Sequence, residues 1–72
     1  MNILIENAES QEYLTADNSW TKKPDEGKNF GGVKAAQAIA KKELIGKFNI
    51  VWFIQDTRQF INLEHGRGQA HA

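Results

Sequence analysis

Cysteine is absent from this chain, and with it go disulfide staples, thiolate metal ligands and a thiol nucleophile. The usual supports of small secreted domains are therefore excluded, and a reducing cytoplasm is the expected setting. Proline occurs once, at Pro24, so only one stretch is barred from a strand ladder on that ground. No apolar run approaches the length that spans a bilayer, and the opening MNILIENAE has no basic residues ahead of its short apolar run. We expect neither export nor membrane insertion. An excess of one charge sign is also missing. Nine basic and nine acidic side chains cancel to a net charge of zero, which argues against a strong electrostatic partner.

What is present is an ordinary globular mixture. Hydrophobic residues make up 40% and charged residues 25% of 72 positions, far from the composition of a disordered chain. That length supports one domain and one core but buries a limited share of its surface, so a marginal fold or an oligomer is expected. Charge is unevenly placed. Glu6, Glu9, Glu12 and Asp17 occupy the first twenty positions without a base, whereas seven lysines fall between positions 21 and 50 against Asp25, Glu26 and Glu43. Exposed charge is common, and such asymmetry is first of all solvated surface.

The most organised stretch runs from Asn29 to Asp56. Val33, Ala36, Ala40 and Leu44 fall on one face of a helix with Ile39 at its border, while Lys34, Gln37, Lys41 and Lys42 point elsewhere. Asn29 or Gly31 can cap its start, Phe30 can fold back on the first turn, and Gly46 supplies a left-handed stop. Phe48 to Gln55 then reads as a strand apolar on both sides, with Ile50, Trp52 and Ile54 on one face and Val51 and Phe53 on the other. Before the helix, Asn2 to Asn7 and Glu12 to Thr15 read as a hairpin, and Ala16 to Ser19 as a turn. Trp20 follows as a lid over the sheet edge, and Thr21 to Asn29 as a loop. Phe60 to Leu63 gives a last short strand, and the sequence beyond Glu64 has little to bury.

Tyr13, Leu14 and Thr15, then Trp20 and Thr21, then Phe30, then the helix carrying Ala35, Ala36 and Ala40 resemble small uncharacterised bacterial and prophage-associated proteins of β-β-α-β-β order. The resemblance covers roughly residues 3–55. It implies a fold and no assigned activity. Gly31 and Gly32 depart from the polar cap and acidic first turn more usual in such proteins.

Signals for chemistry are thin. GKNFGGVK opens a helix as a phosphate loop does, but Val33 stands where the phosphate lysine belongs and Lys34 where the metal-binding hydroxyl belongs. His65 and His71 have no cysteine or helical pairing beside them, so no metal site is expected. Glu64 with His65, or Asp56 with Thr57, defines no reaction class, and neither an enzyme nor a cofactor is expected.

The expected fold is a single α+β domain over residues 1–64, a mainly antiparallel four-stranded sheet with one helix packed on one face, followed by a flexible tail over residues 65–72. One helix covers one face. Leu4, Leu14, Val51 and Phe53 are therefore the candidate protein interface, with a homodimer as the simplest partner unless Trp20 and the 21–29 loop wrap that face. The alternative is weak nucleic-acid binding, in which Lys34, Lys41 and Lys42 form a basic stripe on the helix.

Overall fold

The computed structural model describes residues 2–43 and 46–67. The chain is α+β, with elements in the order β1 (Asn2–Asn7), β2 (Tyr13–Leu14), β3 (Trp20–Thr21), a 3-10 helix (Pro24–Glu26), α1 (Val33–Glu43), β4 (Lys47–Ile54) and β5 (Gln59–Arg67). All four strand pairings are antiparallel, and the strands lie in the order β3-β2-β1-β4-β5. The sheet has five strands where four were expected. The added strand is Trp20–Thr21, which pairs Leu14 with Trp20 and Tyr13 with Thr21. A two-residue strand carries no alternation, so a pattern search sees only its tryptophan.

Local chemistry explains each turn. The Asn7 side chain accepts from the amides of Glu9 and Ser10 at 2.9 and 3.2 Å, which closes the β1–β2 connection. Between β2 and β3, Asn18 takes the left-handed conformation (φ 64°), and the Thr15 amide donates to the Ser19 carbonyl at 2.9 Å. The Thr15 hydroxyl also donates to the Asp17 carboxylate, and this bond holds the Asp17 carboxyl below its ordinary pKa. Ahead of α1, the Asn29 side chain accepts from the amides of Gly31 and Ile3, and the Phe30 amide donates to the Ile3 carbonyl at 2.9 Å. These bonds tie the helix entrance to the stretch of β1 that the two-residue β2 leaves unpaired. Gly46, at φ 104°, makes the left-handed turn into β4 that a side chain would resist.

The core has two parts, one on each face of the sheet. On the helix face Ala36 and Ala40 are fully buried against Ile3, Ile5, Leu14, Phe48 and Ile50, with Trp20, Phe30, Val33, Ile39 and Trp52 packed around them. The expected small-residue face of the helix is present. Leu44 lies outside the described residues. On the second face Leu4, Tyr13, Val51 and Phe53 form a separate buried cluster. β4 is thus covered on both sides, as its doubly apolar sequence requires.

β5 runs to Arg67, past the domain end expected at Glu64. Residues 65–67 are part of the sheet, and the remainder of the expected tail, residues 68–72, lies outside the described residues. Opposite Ile50 stands Glu64 and opposite Val51 stands Asn62, so Leu63 is an extra residue in β5 and the pairing bulges there.

Candidate functional site

The strand order leaves two margins. β3 closes one with two residues, too short to template another strand, whereas β5 closes the other with nine. β5 also carries the three exposed large hydrophobic residues found among the described residues: Phe60 is 44% exposed, Ile61 42% and Leu63 39%. The pairings with Phe53 and Trp52 place Phe60 on the second face and Ile61 on the helix face. The strand's backbone edge therefore runs between apolar side chains on both faces. Natural sheets usually protect such an edge with lysine, proline or a cover; β5 carries neither lysine nor proline, and its one irregularity is the bulge at Leu63.

Phe60 links this edge to the second face. Its ring stacks on Phe53 at 4.9 Å and on Tyr13 at 5.7 Å between centroids. Tyr13 and Phe60 belong to β2 and β5, three steps apart in the sheet, and neighbouring strands are separated by about 4.8 Å. Ring contact over that span requires the sheet to coil inward on the second face. The two rings close over Leu4 and Val51.

Next to the apolar cluster runs a polar row. Glu6, Asn49 and His65 face one another across β1, β4 and β5. The Asn49 amide nitrogen donates to Glu6 at 3.1 Å, so its oxygen, 2.5 Å from His65 Nδ1, accepts a proton held on that nitrogen. Glu64 points to the opposite face, where it accepts from the Gln37 amide. The sequence-adjacent pair Glu64 and His65 is therefore not assembled into one site. A shallow depression of about 240 Å³ at the end of β4 is lined by Asn2, Trp52, Phe53, Ile54, Gln55 and Asp56, with one carboxylate and no base beside it.

The residues expected to form an open interface are placed otherwise. Leu4, Leu14, Val51 and Phe53 are all buried within the chain, none more than 4% exposed. Leu14 does not even share a face with the other three; it belongs to the helix side. The expected open face is closed by Phe60, Tyr13 and the segment around Gly27, where an added methyl group would stand 3.2 Å from Tyr13 Cβ and 3.4 Å from Leu4 Cδ2. Lys34, Lys41 and Lys42 are exposed on α1 as expected. Phe60, Ile61 and Leu63 were legible as a strand but not as an edge, because edge position depends on strand order.

Among the described residues no three His, Cys, Asp or Glu side chains are grouped to hold a metal ion, and His71 lies outside them. No described helix is long and apolar enough to cross a membrane. No family model, curated protein or solved structure matches the chain.

Proposed function

We propose that this chain is a non-enzymatic interaction module that forms a homodimer by joining β5 of two copies edge to edge. The observation that carries this is the nine-residue outer strand flanked by Phe60, Ile61 and Leu63. An added strand satisfies the outer backbone groups and covers those side chains at once. Three features favour a second copy as that strand. A two-fold pairing uses one patch twice and needs no second surface. The net charge of zero places no long-range repulsion between copies. A 72-residue fold also has more to gain from shared burial than a large one. Light scattering across a micromolar concentration series tests the proposal, with a mass twice that of the 8.1 kDa chain as the expected result. A monomer mass throughout overturns it.

A second reading, weak nucleic-acid binding, is favoured by Lys34 and Lys41, both exposed and two helical turns apart on α1. Its signature is affinity for short DNA or RNA at low salt that falls steeply as salt is added.

A further inference from the structure

The second face is closed by neither an α-helix nor a second sheet. Tyr13 and Phe60 cover part of Leu4, Val51 and Phe53, and residues 22–28 cross the rest. This segment is braced internally. The Thr21 hydroxyl donates to Glu26 at 2.8 Å and accepts from the Lys23 amide at 3.1 Å, while the amides of Glu26 and Gly27 close the 3-10 turn on Lys23 and Pro24.

Its outward fastenings are weak by comparison. None of the three residues of the 3-10 helix is fully buried, Pro24 being half-buried. Arg58 Nη1 donates to both Asp25 carboxylate oxygens, at 3.1 and 3.0 Å, but both side chains are more than half exposed. Ion pairs of that kind contribute little and are screened by salt. The Arg58 guanidinium also lies 5.3 Å from the centre of the Phe53 ring, and the Lys28 amide donates to the Leu14 carbonyl at 2.9 Å. The segment ends at well-fixed points, β3 on one side and the Asn29–Ile3 bonds on the other.

We propose that residues 22–28 are a strap that opens as one unit while the sheet stays folded, uncovering Leu4 and Tyr13. A braced segment whose outward side-chain bonds are exposed and none of whose residues is fully buried belongs to the low-stability end of a fold. Because the uncovered cluster adjoins Phe60, opening extends the apolar surface next to β5 from a single ring to a continuous patch. That consequence for binding rests on the β5 interaction surface; the opening itself does not.

Native-state amide exchange followed by NMR tests the strap. The Lys28 amide should exchange at least about tenfold faster than the slowest amides of β1 and β4. Asp25→Ala should speed Lys28 exchange a further roughly twofold to fivefold, with the β1 and β4 amides unchanged. Arg58→Asn should act the same way, since asparagine tolerates the left-handed backbone that Arg58 occupies at φ 57°. Lys28 exchange is read at concentrations where the chain is monomeric, and slowing of β5 amides at higher concentration reports the dimer, so failure of the dimer is read separately. Exchange of Lys28 at the rate of the β1 and β4 amides, in the natural chain and both variants, overturns the strap.

Discussion

The outer end of the Phe48 ring closes on Gly66, its register partner in β5: a methyl group placed on Gly66 would overlap the ring's Cζ. The absent side chain is what makes room for a fully buried aromatic at the end of the core. A cross-strand aromatic covering a strand glycine also compensates for the weakness that glycine brings to a strand. Gly66→Ala must push Phe48 or the strand aside, and we expect a loss of about 1 to 3 kcal/mol in urea unfolding. In a Phe48→Leu background the same substitution should cost clearly less. Equal costs in the two backgrounds would show that the ring is not the obstacle.

The second prediction concerns the contact between helix and sheet. Ala36 and Ala40 are wholly buried one turn apart, and their size sets how closely α1 approaches Ile3, Ile5 and Ile50. Ala40→Leu adds volume where the backbone has no slack, and a loss of about 1 to 3 kcal/mol is expected. Ala38→Leu is the control. Ala38 is exposed on the same helix, so its substitution should change stability by about 0.5 kcal/mol or less.

These alanines mark what could be read in the sequence. Spacing of three and four residues defines a helix face, and apolar residues on both sides define an inner strand, so α1 and β4 are evident from local pattern. Closure of the second face has no local pattern. It brings Asp25 to Arg58 across 33 positions, Gly27 against Leu4, and Phe60 to Tyr13 across a coiled sheet. The end of β5 was hidden for a different reason. His65 and Gly66 look like tail residues, yet His65 is held by Asn49 and Gly66 by the ring that needs it small. The proposed interaction surface was not legible: the sequence pointed to Leu4, Leu14, Val51 and Phe53, which are buried, and Phe60 to Leu63 showed a strand but not its place at the margin.

A charge on the outer strand should separate dimerisation from folding. Ile61 is exposed on β5, and lysine is a residue that natural edge strands use to prevent pairing. We expect Ile61→Lys to shift the mass at micromolar concentration to the monomer. The urea midpoint, measured where the natural chain is already monomeric, should move little, because the side chain is not part of either buried cluster. If Ile61→Lys and Leu63→Lys both keep the dimer mass, another surface joins the copies.

The last prediction follows from Tyr13. Its ring is buried beneath Phe60, and Glu6 stands directly opposite it in the β1–β2 pairing. Burial first, and the Glu6 charge second, resist formation of a phenolate and raise the hydroxyl's pKa above its ordinary value of 10.0. An unfolded chain releases this proton near the ordinary value, whereas the folded chain retains it. Below that pH both states are protonated and the fold loses nothing. Above it the unfolded state binds fewer protons, so stability falls as pH rises until the folded-state pKa is passed. Urea unfolding between about pH 8 and pH 11 should therefore show a steeper alkaline loss for the natural chain than for Tyr13→Phe, which has no proton to release. Glu6→Gln should fall between the two, since it removes only the smaller cause. Lysine titration affects all three chains alike, and a Tyr13→Phe curve parallel to that of the natural chain would mean that Glu6 and the buried ring do not act on this hydroxyl.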